Sequence, residues 1–178
     1  MKFPLPRSRR RRGTVTRIAL ILGIVASSLT LTAGTAHAWD YTMTGQFQDW
    51  ATGRCLDSNQ AGQVYTNPCQ QGNGYQRWRT LGLRGSGIRG HDRVRLQNVA
   101  TGRYLRFDGA TPSSVVTTSL FENSDEITAD GPDWGNVHFI WPGQNWSGPS
   151  CLDSNHEGIV YHIACNYGTY QTWRKIWS

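Results

Sequence analysis

Asp57, Asn59, Tyr65, Tyr75 and Gln76 recur in the same order as Asp153, Asn155, Tyr161, Tyr170 and Gln171. The first three pairs are 96 residues apart and the last two 95. An ionised carboxylate only accepts hydrogen bonds, and it takes two hydroxyl protons with charge-assisted strength. With two tyrosine rings beside it, such a group suits a shallow site for a hydroxyl-rich ligand. The same residues also have a purely structural reading. "DSN-x-x-G" (Asp57 to Gly62 and Asp153 to Gly158) is good Asx-turn chemistry. A Gln two positions before a Trp serves equally well as a structural hydrogen-bonding group. The residues alone leave both readings open.

Other chemistries are excluded more firmly. Asp57, Asn59 and Gly62 match positions 1, 3 and 6 of a calcium loop, but the glutamate required at position 12 is Pro68 in one copy and Ala164 in the other. No C-x₂-C or H-x₃-H spacing supports a zinc site. No G-x-S-x-G or H-E-x-x-H is present, and His91, His138, His156 and His162 have no repeat-wise partners. Without a catalytic constellation, the sequence predicts a binding protein with no enzymatic activity, no metal and no cofactor.

The two sets lie within longer matching stretches, "CLDSNQAGQVYTNPCQQGNGYQRW" and "CLDSNHEGIVYHIACNYGTYQTW". Four cysteines allow three connectivities. Cys55 and Cys69, like Cys151 and Cys165, are 14 positions apart, so each stretch most simply closes its own loop. Each bridge stabilises by about 3 kcal/mol on the loop-entropy model.

A third copy lies between them: "NVATGRYL" (Asn98 to Leu105) matches "DWATGRCL" (Asp49 to Leu56). Internal repetition with a period of 40 to 50 residues is itself a fold signal. The middle copy has no cysteine. With Trp141 as its closing tryptophan beside Trp78 and Trp173, it carries about 14 extra residues, placed within 109–135. The three tryptophans are expected in the core. Asp108 marks the middle site, which lacks a proper Asp and Gln and is expected to be inactive.

Local patterning is β. Val94 and Leu96 alternate with Arg95 and Gln97, a Thr-Gly turn follows, and Tyr104, Leu105 and Phe107 resume. Short apolar runs separated by Gly, Asn and Asp predict antiparallel strands in a barrel or sandwich.

Residues 1–38 read as a secretory signal peptide: a basic stretch, an apolar run, and "AHA" before Trp39. The run is short and carries Ser and Thr, so no membrane span is expected in the mature chain. Seven of the 18 basic residues lie in this segment, which leaves 11 bases against 12 acids in residues 39–178. The basic balance belongs to the leader, and binding to nucleic acid loses its main support. A secreted, extracellular chain is expected to form disulfides.

"C-L-D", a second cysteine and "Q-x-W", within three repeats (about 45–90, 91–143 and 144–178), resemble the ricin B-type β-trefoil lectins. The wording is also similar to ricin-like repeats in some ADP-ribosylating toxins. The resemblance implies an all-β β-trefoil: a six-stranded barrel capped by three hairpins, with one potential sugar site per repeat. It implies that Asp57 and Asp153 accept sugar hydroxyls, that Gln76 and Gln171 brace them, and that Asn59, Asn155, Tyr65, Tyr75, Tyr161 and Tyr170 complete the sites.

The chain departs from the galactose-binding pattern in two places. Asn67 and Ile163 stand where an aromatic residue is usual, and Tyr75 and Tyr170 where an Asn is usual. The expected partners are glycans or glycoconjugates, bound by a monomer. The alternative is a trefoil acting on a protein partner, as an inhibitor or as the binding subunit of a separate toxin or enzyme chain.

Overall fold

A computed structural model describes residues 41–82, 91–109, 113–143 and 148–177. The proposed leader lies outside them. Twelve strands follow one another: β1 (Tyr41–Asp49), β2 (Arg54–Ser58), β3 (Val64–Pro68), β4 (Arg77–Gly82), β5 (His91–Asn98), β6 (Tyr104–Phe107), β7 (Ser113–Thr118), β8 (Ile127–Asp133), β9 (Asn136–Trp141), β10 (Ser150–Ser154), β11 (Val160–Ala164) and β12 (Trp173–Ile176). Among the described residues the only helical element is a 3₁₀ turn, Phe121–Asn123.

The strands form three sets of four. The outer strands of each set pair antiparallel in a ring, β1 with β4, β4 with β5, β5 with β8, β8 with β9, β9 with β12 and β12 with β1. A closed six-stranded barrel has no free edge. The inner strands form hairpins β2–β3, β6–β7 and β10–β11. The hairpins also touch one another: the Thr66 N–H donates to the Gly158 carbonyl and the Thr117 N–H to the Gly62 carbonyl, both at 2.8 Å. A six-stranded barrel with three capping hairpins is a β-trefoil.

Strand alternation builds the core. In β9, Val137, Phe139 and Trp141 are buried while the residues between them are partly exposed. Phe47 meets Phe139 edge-on at 4.9 Å, and Trp78 and Trp173 are fully buried. Each buried large apolar side chain contributes about 2–3 kcal/mol, provided its polar atoms find partners. The Trp78 and Trp173 indole N–H groups donate to the Leu56 and Leu152 carbonyls at 2.9 and 3.1 Å. Both bridges form as expected, Cys55–Cys69 and Cys151–Cys165, with Cα separations of 5.0 and 4.9 Å.

The middle repeat corrects the sequence reading. Trp78 is paired with Asn98, and Trp173 with Asp49. In β8–β9, Thr128 is paired with Ile140, which sets Ile127 opposite Trp141. Ile127, not Trp141, therefore holds the closing-tryptophan position, and Trp141 stands where Asp49 and Asn98 stand. Tyr104 to Ile127 spans 23 positions, the same as Cys55 to Trp78, so the middle repeat has no 14-residue insertion. The segment assigned to a loop forms β7, the 3₁₀ turn and β8. The second set ends at Asp133 and the third begins with β9 at Asn136, ahead of the boundary expected after residue 143.

The reason is a volume exchange. Ile127 is smaller than the tryptophan it replaces, and Trp141 enters from the neighbouring strand to stack on Phe107 at 5.8 Å. Its indole N–H donates to Asp125 Oδ1 at 3.2 Å. The missing disulfide is replaced by an edge-on contact of Tyr104 with Phe121 at 5.4 Å, and the Arg95 guanidinium lies 4.4 Å from the Phe121 ring centre.

Candidate functional site

Asp57 lies directly opposite Tyr65 in the β2–β3 hairpin, so both side chains project from one face. The turn beyond them is held by Asn59, whose Oδ1 accepts the Gln63 N–H at 3.1 Å. Gly62 has a φ of +90°, and a Cβ there would lie 2.8 Å from Arg103 Nη2. Only glycine meets both demands.

Gln76 is 1% exposed. It donates from Nε2 to Asp57 Oδ2 at 3.1 Å and to the Pro68 carbonyl at 3.0 Å, and its Oε1 accepts the Gln70 N–H at 2.8 Å. Asn67 Nδ2 adds a second donor to Asp57 Oδ2 at 3.2 Å. Asp57 Oδ1 is buried with no hydrogen-bond partner among the described residues. Above the carboxylate opens a cavity of about 550 Å³, lined by Asp57, Asn59, Tyr65 and Tyr75 together with Gln60, Ala61 and Asn73.

The third repeat builds the same arrangement with different neighbours. Asp153 lies opposite Tyr161, and Asn155 Oδ1 accepts the Ile159 N–H at 2.9 Å. Gln171 is fully buried. It accepts the Asn166 and Tyr167 N–H groups at 2.8 and 3.2 Å and donates to the Ala164 carbonyl at 3.3 Å. Asp153 Oδ1 is likewise buried without a partner among the described residues. The cavity of about 530 Å³ is lined by Asp153, Asn155, Tyr161 and Tyr170, joined by His156, Glu157, Ile163 and Thr169. The Tyr170 hydroxyl lies 3.1 Å from His156 Nε2.

Burial, and then the nearby Asp153 carboxylate, push the Tyr161 phenol up to about 12. Burial and Asp57 raise Tyr65 in the same direction. Both phenols therefore keep their protons at neutral pH and can donate.

In the middle repeat, Arg106 lies opposite Val116, the pairing that Asp57 and Asp153 make with Tyr65 and Tyr161. Arg106, rather than Asp108, is the equivalent residue. Asp125 occupies the Gln position, accepting the Phe107 N–H and the Trp141 indole N–H. Ser124 replaces the outer Tyr and accepts from Arg95 at 2.6 Å. Arg106 is instead ion-paired with Asp108 at 3.4 Å, so the free carboxylate acceptor of the other two repeats is missing there.

Of the residues singled out from sequence, the aspartates, asparagines and tyrosines line the two cavities. Gln76 and Gln171 lie beneath them, where Gln76 braces Asp57 directly and Gln171 orders its own loop. Sequence reasoning missed Asn73 and His156. Asn73 is part of a turn, its Oδ1 accepting the Tyr75 N–H at 3.0 Å, and an Asn two residues before Tyr75 was its one signal. His156 reaches Tyr170 from the opposite side of the cavity, 14 positions away in sequence, and no periodicity marks it. Among the described residues no group of three His, Cys, Asp or Glu is placed to hold a metal ion, and no helix is long and apolar enough to cross a membrane.

Solved structures show the same architecture. The Rhizoctonia solani agglutinin superposes with a TM-score of 0.58 at 22% identity, covering 78% of this chain and 96% of its own. The Macrolepiota procera ricin B-like lectin, in complex with lactose, gives 0.55 at 18% identity, covering 75% and 94%. ThreeFoil, a designed three-fold symmetric protein, gives 0.57 at 19% identity, covering 76% and 99%. At these identities the likeness establishes the β-trefoil fold, of the kind found in ricin B-like lectins. No protein-family model matches the sequence, and no characterised protein matches it by sequence.

Proposed function

We propose that the chain is a carbohydrate-binding, lectin-like protein with one sugar site in the first repeat and one in the third, acting without catalysis of its own. The observation that carries this reading is the pair of aspartates. Asp57 and Asp153 are each 4% exposed, each borders an open cavity, and each has an Oδ1 that no group among the described residues satisfies. A buried polar atom left unpaired costs about 1–3 kcal/mol, more when charged. That cost recurs at two three-fold-related places and is absent where Arg106 replaces the aspartate. Sugar hydroxyls supply the missing donors, and the tyrosine rings offer faces for the sugar's C–H surface.

The complex of the Macrolepiota procera lectin with lactose supports a saccharide as the ligand class. Asn67 and Ile163, in place of the usual aromatic residue, argue against a plain galactose site. The two disulfides fit export to an oxidising compartment.

A glycan array on residues 39–178, followed by titration of each hit, tests the reading. Binding that weakens in Asp57→Asn and in Asp153→Asn is expected. An array without hits, or hits unaffected by both substitutions, would overturn it.

A further inference from the structure

A third, smaller cavity of about 170 Å³ opens on the barrel wall, lined by Gln46, Gln71, Gly72, Arg77 and Trp177 and by neither aspartate. Gln46 of β1 is paired across the sheet with Arg77 of β4 on one side and with Ile176 of β12, the residue before Trp177, on the other. Directly opposed residues project from one face, so barrel strands fix the amide and the guanidinium.

The polar groups here are unsatisfied. Gln46 is 1% exposed, and while its Nε2 donates to the Gln70 carbonyl at 2.7 Å, its Oε1 has no partner among the described residues. Among the described residues the Arg77 guanidinium has neither a hydrogen-bond nor an ion-pair partner. Trp177 is 44% exposed, on backbone with a φ of +39°.

The three-fold repetition supplies an internal control. Trp78 pairs with Gly45, Ile127 with Val94 and Trp173 with Val137. One step along, Gln46 and Arg77 correspond to Arg95 and Glu126 in the second repeat, and to His138 and Thr172 in the third. In both later pairs the chain itself supplies partners. Glu126 is ion-paired with Arg93, and Arg95 donates to the Phe121 carbonyl at 2.7 Å. His138 Nε2 lies 3.1 Å from Thr172 Oγ1, with the Tyr167 ring edge-on at 5.2 Å. In the first repeat Gln71 stands in place of Tyr167, and the space stays open.

We propose that this cavity binds a carboxylate-bearing sugar unit of the hexuronate class, at a site separate from the two aspartate pockets. A guanidinium fork takes a planar carboxylate through two parallel hydrogen bonds. The orphan Gln46 Oε1 needs an O–H or N–H donor, and an indole face takes an apolar ring surface. A hexuronate presents a carboxylate, neighbouring hydroxyls and a C–H face on a single ring. A neutral sugar lacks the anion, and a simple carboxylate lacks the hydroxyl and the ring face. The volume equals that of about five or six waters at ~30 Å³ each, which admits the carboxylate and one ring edge while the rest lies against Trp177.

The test is a ¹⁵N NMR titration of the disulfide-bonded chain with glucuronate, glucose and acetate, following the Trp177 indole resonance as assigned by Trp177→Phe. Glucuronate should shift it saturably, at least tenfold more tightly than glucose or acetate, and added salt should weaken the effect. Arg77→Gln should abolish the response. Gln71→Tyr, which copies Tyr167 and touches neither polar group, should also block it. The Asp57→Asn, Asp153→Asn double variant should respond as wild type does, which separates this site from the proposed lectin sites. No saturable shift with glucuronate, equal affinity for acetate, or an unchanged response in folded Arg77→Gln would overturn the proposal.

Discussion

Gln76 donates from Nε2 to Asp57 Oδ2 at 3.1 Å while its Oε1 accepts the Gln70 N–H at 2.8 Å. One buried amide therefore ties the cavity-lining carboxylate to the loop that carries Asn73 and Tyr75. Gln76→Leu removes both bonds and leaves the buried carboxylate with one donor fewer. A loss of about 2 kcal/mol in urea unfolding is expected, together with weaker sugar binding at the first repeat alone. Unchanged stability would show that Asp57 does not depend on this brace.

The exchange of Trp141 for a tryptophan at 127 should behave as a coupled pair. Trp141→Asn empties the stack on Phe107 and should cost about 3–5 kcal/mol. Ile127→Trp adds volume to a filled core and should cost about 1–3 kcal/mol. The double variant restores the pattern that Trp78 makes with Asn98. It should be more stable than the summed single effects by over about 1 kcal/mol. Simple additivity in denaturant unfolding would contradict the assignment of Ile127 to the closing-tryptophan position.

Asp49 is fully buried, its Oδ2 has no hydrogen-bond partner among the described residues, and burial raises its pKa. A raised folded-state pKa contributes stability that is present below the unfolded value and lost as pH rises through the folded one. At neutral pH the ionised group is therefore a liability. Asn98, at the equivalent position, donates from Nδ2 to the Tyr75 carbonyl at 2.6 Å, and Asp49→Asn would present the same donor toward the Tyr170 carbonyl. The substitution should stabilise by about 1 kcal/mol at pH 7, with the gain shrinking toward pH 3. A loss at pH 7 in thermal unfolding would refute this.

Tyr161 titrates at about 12, above its ordinary value of 10.0, because of burial first and the Asp153 carboxylate second. Folded protein holds this proton more tightly than unfolded chain does. Its contribution is intact below pH 10 and disappears as pH rises from 10 to 12. Alkaline unfolding followed by circular dichroism should show a shallower decline for Tyr161→Phe than for wild type over that interval. Parallel curves would mean that the phenol is not coupled to folding.

Much of this molecule was legible in the sequence because three copies of one pattern were compared. The disulfides followed from equal spacing, and Asp57, Tyr65, Asp153 and Tyr161 stood out because both copies carry them at one offset. The middle repeat was misread for a physical reason. Core volume is conserved in three dimensions rather than at one position, so the tryptophan moved to a neighbouring strand while its own site took isoleucine. A search for Trp by type led to Trp141 and to an insertion that does not exist. The Arg77 cavity was invisible because it depends on pairing between β1, β4 and β12, which are far apart in sequence. His156 was missed for the same reason.

The proposed role of Asp57 and Asp153 is that of acceptors in two sugar sites. Its most direct test is isothermal titration of an array-identified glycan against wild type, Asp57→Asn, Asp153→Asn and the double variant, each confirmed as folded. Asparagine keeps the shape of the side chain and removes the charge. Two sites are expected in wild type, one in each single variant and none in the double variant. A folded double variant that binds as wild type does would contradict it and leave the two aspartates as residues of the hairpin turns alone.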